Sequence, residues 1–268
     1  MRRSAILQRI AKLFFAMLSF AAAAQAPAHR DGGSTVMVTR DGGVNEILQS
    51  IYIPPLLNAP FTAVLHTEWT RPLANGGSFT LVNRRRVARD SKGRIYEERW
   101  LLVPKGGDLE SQMNVIQLAD PEAHTLYNCF TLQTPRRCTL QTFAETPLTL
   151  YTPAAATTGP MPGNQGSATH EDLGMRAIDG IEARGTRDTE YLNAGVMGND
   201  EPFSSYREFW QSPSLGVNLV SEVTGLTIGK QVFTMSHVRL GEPDPRLFEL
   251  PAKFAIVDQR KRVTANTQ

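Results

Sequence analysis

Alternation of apolar and polar residues, with little helical periodicity, runs along most of this chain. From Phe61 to Thr70 (FTAVLHTEWT) β-branched and aromatic residues dominate. Phe61, Ala63, Leu65 and Trp69 then share one face of an extended strand, because successive side chains point to opposite sides. Phe79–Asp90 and Arg94–Val103 flank the short turn Ser91-Lys92-Gly93 and read as a hairpin. Met113–Leu118 and His124–Phe130 flank Asp120-Pro121, and Cys138–Thr142 continues the meander. Further on, Met175–Ile178 and Glu182–Arg187 flank Asp179-Gly180, a strong hairpin dipeptide. Ser204–Trp210, Gly216–Val223 and Gln231–Arg239 complete the series. One short helix is expected over Asn45–Tyr52, capped by Asn45 and stopped by Pro54-Pro55. With no βαβ alternation, the expected class is mainly β: a large curved antiparallel sheet or half-open barrel with one or few short helices.

One segment interrupts the rhythm. Thr152–His170 (TPAAATTGPMPGNQGSATH) is rich in Pro, Gly, Ala and Thr and has no periodicity, so a flexible exposed loop is expected there. It divides the chain into two β-rich halves that share a pattern. Asp90 precedes Tyr96-x-Glu98-x-Trp100 by six residues, and Asp200 precedes Tyr206-x-Glu208-x-Trp210 by the same number. Chance similarity between strands and a duplicated unit both account for this. Either way each segment reads as a strand with one aromatic-rich face.

The first residues have the three-part layout of a secretory leader. Arg2, Arg3, Arg9 and Lys12 precede the uncharged stretch Leu13–Ala24, and small residues follow. A dozen apolar residues fall short of the ~20 a spanning helix needs. Cleavage is expected after Ala24, or as late as Ala28. The expected plan is therefore a leader over 1–24, an N-terminal segment over 25–60, a β-rich domain over 61–257 and a polar tail over 258–268. The whole chain holds 28 Lys+Arg against 26 Asp+Glu, a net of +2; losing a leader with four basic and no acidic residues leaves −2. A nucleic-acid partner is not expected from that balance. The only two cysteines, Cys129 and Cys138, flank the turn Pro135-Arg136-Arg137. In an oxidising compartment they are expected to form a disulfide that clamps a hairpin.

No catalytic signature stands out. Gly-x-Ser-x-Gly and His-Glu-x-x-His are absent. Gly225–Gln231 lacks the spacing of a phosphate loop and reads as a turn. His66-x-Glu68 shares one strand face but has no third metal ligand nearby. His124 is expected beside a strand start and His237 in a core or hydrogen-bonded position. His170-Glu171-Asp172 points its side chains to alternate sides. No cofactor and no metal are expected. What remains is a set of aromatic and aliphatic strand positions: Phe61, Leu65, Trp69, Tyr96, Trp100, Leu102, Tyr206, Trp210 and Phe233. They are candidates either for a packed core or for an apolar groove inside a curved sheet.

The C-terminal run Gly241-Glu242-Pro243-Asp244-Pro245, followed by Leu247-Phe248-Glu249-Leu250-Pro251, supplies turns and an apolar plug. With the blocks Leu173–Ala183 and Gly198-Asn199-Asp200, it resembles a group of uncharacterised secreted bacterial proteins over Phe61–Val257. The meander is also similar to the periplasmic lipoprotein-localisation carriers (LolA/LolB-like). That resemblance implies a half-open antiparallel barrel whose apolar groove takes acyl chains. The long Pro/Gly segment, the cysteine hairpin and the low helix content depart from the carriers. The expectation is an exported, non-enzymatic protein, soluble after cleavage, that binds a lipid-like or apolar ligand. The alternatives are a cell-envelope protein-interaction module and a hydrolase using residues such as His66, Glu68, His124 or His237.

Overall fold

A computed structural model describes residues 50–144, 158–226 and 228–260. The leader and most of the expected helix lie outside the described residues; Ser50–Tyr52, its last three, are not helical. In chain order the strands are β1 (Phe61–Pro72), β2 (Ser78–Arg89), β3 (Ile95–Trp100), β4 (Val103–Pro104), β5 (Met113–Asp120), β6 (Thr125–Phe130) and β7 (Arg137–Thr142). They continue as β8 (Gly159–Pro160), β9 (Gly166–Ile178), β10 (Ile181–Leu192), β11 (Phe203–Ser212), β12 (Val217–Gly225), β13 (Gly229–Leu240) and β14 (Ala255–Asp258). All belong to one open, curved sheet in the order β14-β7-β6-β5-β3-β2-β1-β13-β12-β11-β10-β9-β8, with the short β4 beside β2. Every pairing is antiparallel except β14 with β7 at one edge.

The strand that joins the two halves is β1. It pairs with β2 on one side and with β13 on the other, matching Leu65 to Arg85 and to Met235. The two β-rich halves of the sequence are thus one continuous sheet. The alternation of β1 is kept in full: Phe61, Ala63, Leu65, Thr67 and Trp69 are buried, and the residues between them are not. Across the ladder the buried face continues through Val87, Phe233, Met235, Val217 and Leu219. Ile51 and Ile53, from the segment before β1, pack into the same core.

Arg89, fully buried, ties this segment down. Its guanidinium donates to the carbonyl oxygens of Pro54 (2.8 Å), Ala59 (2.8 and 3.0 Å) and Leu215 (2.7 Å). The β2–β3 turn supports it from above. The Asp90 carboxylate accepts from the backbone of Lys92 (3.1 Å) and Arg94 (2.8 Å). Gly93 lies at φ +78°, and a Cβ there would meet the Pro55 carbonyl oxygen at 2.9 Å. Glycine is required at that position on both counts.

The Cys129–Cys138 disulfide is present and links β6 to β7 at directly paired positions. After β13 the chain forms a short 3-10 turn, Pro245–Phe248, and lays Leu247 and Phe248 against Ala88, Tyr96 and Leu118. The expected apolar plug is therefore formed by those two residues, while Leu250 is more exposed.

The expected loop Thr152–His170 is corrected in its second part. Gly159–Pro160 is β8, a 3-10 turn covers Pro162–Asn164, and Gly166–His170 already belong to β9. Residues 152–157 lie outside the described residues. Small and polar residues extend here because β10 offers a paired edge along its whole length, from Ile181↔Ile178 to Leu192↔Gly166. Tertiary pairing overrides weak intrinsic propensity.

Candidate functional site

The even-numbered residues of β1 form the floor of a large cavity. Val64, His66 and Glu68 point into it from β1, Arg84 and Arg86 from β2, and Val232 and Thr234 from β13. Glu98 and Trp100 on β3, Val103 on β4, and Glu222 with Lys230 add the walls. Its volume is about 960 Å³. The ladder aligns these residues in rows. One row reads Arg84↔His66↔Thr234↔Val220↔Trp210 across five strands. The next reads Val82↔Glu68↔Val232↔Glu222↔Glu208↔Arg187. Valines thus alternate with charges on one sheet face, and the cavity is amphipathic.

Most of the charges are paired. Glu98, with 8% of its side chain exposed, is bonded by Arg86 at 2.9 Å. It also accepts the Tyr96 hydroxyl at 2.7 Å, the Trp100 indole N–H at 2.9 Å and the Arg86 backbone N–H at 3.1 Å. Burial alone would raise the Glu98 carboxyl, but these hydrogen bonds outweigh it and hold the carboxyl below its ordinary value. Lys105 reaches Glu68 at 2.9 Å, and Lys230 reaches Glu222 at 2.6 Å. The Tyr206 hydroxyl also donates to Glu222.

His66 has an unusual neighbourhood. Its Nε2 lies 2.8 Å from the Ser236 hydroxyl, which in turn lies 3.0 Å from Nδ1 of His237. Burial, then the charge of Arg84, then His237 lower the His66 pKa from 6.5. Among the described residues no carboxylate hydrogen-bonds either ring, so the trio lacks the orienting acid of a hydrolytic triad. His237 is exposed at φ +53°, not in the core. His124 sits in the turn before β6 at φ +51°. His170 lies in β9 and pairs with Asp188 at 2.6 Å, while Asp172 pairs with Arg184 on the same strand pair. No group of three or more metal-ligating side chains occurs among the described residues.

The nine aromatic and aliphatic candidates do not line one surface. Phe61, Leu65, Phe233 and Trp210 belong to the main core cluster. Trp69 is buried on the same face of β1, with its indole N–H donating to Ile228 at 2.6 Å. Tyr96 is buried against Ala88 and Leu118. Tyr206 is half-buried beneath Arg187, whose guanidinium carbon is 5.6 Å from the ring centre. Leu102 is half-buried in the connection between β3 and β4. Of the nine, Trp100 alone lines the cavity. The polar floor that sequence reasoning passed over carried a signal: His66-x-Glu68 alternates with the core face of β1. Arg84-Arg85-Arg86 carried another. Arg84 and Arg86 face the cavity, while Arg85 is buried and donates to Ser50.

No family model matches the chain, and no curated protein matches its sequence. Several solved structures are similar. MucB of Pseudomonas aeruginosa in complex with MucA is 14% identical, at a TM-score of 0.36, over 75% of this chain and 58% of that one. The chain thus spans under two thirds of the length of MucB. The lipoprotein LppX of Mycobacterium tuberculosis is 13% identical over 70% of this chain and 88% of that one, at a TM-score of 0.28. A LolA superfamily protein of Nitrosomonas europaea is 10% identical over 71% and 90%, at a TM-score of 0.26. Among the described residues no helix is long and apolar enough to cross a membrane.

Proposed function

We propose that this chain is a ligand-binding protein of the cell envelope that holds an elongated amphipathic molecule in the cavity over β2, β1, β13 and β12. The observation that carries this reading is the cavity itself: about 960 Å³, open, and floored by Val64, Val82 and Val232 between charged rows. That volume lies at the upper end of the usual range for small-molecule sites, roughly 300–1,000 Å³. The valines would take an aliphatic stem through the hydrophobic effect, and the charged rows would meet a polar head. The leader read from the sequence supports an exported setting.

The test is solvent extraction of the purified full-length chain followed by mass spectrometry, together with displacement of a fluorescent single-chain amphiphile. Stoichiometric amphiphile in the extract and saturable probe binding are expected. Replacing Val232 by Trp should abolish probe binding by filling the floor. An extract without amphiphile, together with no saturable probe binding, would overturn the reading.

A further inference from the structure

We infer that the ligand of this cavity carries one acidic head group and that Arg84 receives it. The inference rests on the cavity being a binding site, as proposed above, and adds the chemical class of what enters it.

Apart from the buried Arg85, the charges on the cavity wall pair off except at one point. Glu68 has Lys105, Glu98 has Arg86, and Glu222 has Lys230. Arg84 is exposed and has neither a hydrogen bond nor an ion pair among the described residues. Arg85, its neighbour, also borders the cavity, but it is buried and its guanidinium already donates to Ser50. The residue directly across the ladder from Arg84 is His66, whose pKa is lowered by burial first and by Arg84 second. An imidazole is neutral or positive, never negative, so His66 offers Arg84 no countercharge. One positive charge is left over, in the row that runs through the middle of the floor.

A guanidinium keeps its proton at any physiological pH and presents a planar fork of N–H donors. Its best complement is an oxyanion with two oxygens in one plane, held by two parallel hydrogen bonds. The neighbours of Arg84 decide the rest of the ligand. Val82 is two residues away on the same face of β2 and pairs with Val103; Val64 and Val232 lie in the adjoining rows. An acid alone would leave this apolar surface wet, and a neutral alkyl chain would leave Arg84 unpaired once water is displaced. An acidic single-chain amphiphile satisfies both.

The experiment is isothermal titration calorimetry of the full-length chain with three probes: hexadecanoate, its methyl ester, and acetate. Hexadecanoate is expected to bind at least about tenfold more tightly than the ester, the scale of one charge-assisted hydrogen bond. Acetate is expected not to bind at millimolar concentration. In Arg84→Gln the acid should weaken to the level of the ester while the ester is unchanged, and Arg84→Lys should keep part of the preference. Equal binding of acid and ester by the unsubstituted chain overturns the inference and leaves the cavity as a binding site. Acetate binding as tightly as hexadecanoate overturns the amphiphile class. An unchanged preference in Arg84→Gln moves the head group off Arg84. Failure of both long-chain probes brings down the binding-site reading itself, and this inference with it. The comparison of acid with ester needs no variant, so it decides even if a substitution disturbs folding.

Discussion

The guanidinium of Arg89 donates to the carbonyl oxygen of Leu215 at 2.7 Å, joining residues 126 positions apart. Leu215 closes the turn between β11 and β12, so this bond fixes the far half of the sheet to the end of β2. The same side chain binds Pro54 and Ala59 and lies 5.1 Å over the Phe61 ring. Burial lowers the pKa of Arg89 to about 10. Its charge is therefore a cost at neutral pH, offset by four hydrogen bonds to backbone.

Replacing Arg89 by Met should destabilise the chain by about 3 kcal/mol or more, because the buried Leu215 carbonyl and the half-buried Ala59 carbonyl lose the Arg89 donor and Pro54 keeps only the Leu56 N–H. Urea unfolding followed by circular dichroism checks this. A change under about 1 kcal/mol would show that the clamp contributes little.

Acid should weaken the fold through Glu98 and Glu208. Burial acts to raise both carboxyls, but hydrogen bonds from tryptophan and arginine prevail and lower them from 4.5. A carboxylate depressed in the folded state contributes stability that is complete above its unfolded pKa and is lost as pH falls through its folded pKa. The unfolding midpoint is thus expected to hold above pH 5 and to fall below about pH 4. Glu98→Gln should be less stable at pH 7 and show a shallower acid limb. Parallel acid limbs for the two proteins would refute the assignment.

Gly185 supports Trp210. A Cβ at Gly185 would come within 2.7 Å of the Trp210 ring, and the Arg176 guanidinium carbon stacks on that ring at 3.6 Å. Held between glycine backbone and arginine, the indole has little room to retreat. Gly185→Ala is expected to cost about 1–3 kcal/mol by overpacking. It should also shift the tryptophan emission. Unchanged stability and emission would mean the ring moves freely.

The repeated Tyr-x-Glu-x-Trp shows how far sequence reading reaches. Each copy is a strand with the three side chains on one face, as alternation requires. In each, the glutamate accepts from the tryptophan two residues on, at 2.9 Å and 2.6 Å, and from an arginine on the preceding strand. Tracing the registers from Glu98 through Arg86, Val64 and the later rows to Glu208 places both on the same sheet face. Yet β3 and β11 run in opposite directions, with the arginine strand on the same side of each. No rotation that keeps the face exposed superposes two such hairpins. The repeat is a recurring local solution for a half-buried glutamate, not a duplicated hairpin.

Strand positions, hairpin turns at Ser91-Lys92-Gly93 and Asp179-Gly180, and the Cys129–Cys138 link were legible because each rests on chemistry within a dozen residues. The alternation of β1 also determined which of its residues would be buried. Which buried face meets which partner was not legible. Pairing of β1 with β13 joins residues some 170 apart, and only that pairing sets Arg84, His66 and Thr234 in one row. The aromatic positions drew attention for their size, and size sent all but Trp100 away from the cavity, into the core or against neighbouring strands. The floor instead fell to valines and charges, which on β1 and β13 stand on the side opposite Phe61, Leu65, Trp69 and Phe233. Sequence determines what each strand can hide; register, closed over long chain separations, decides what the exposed face brings together.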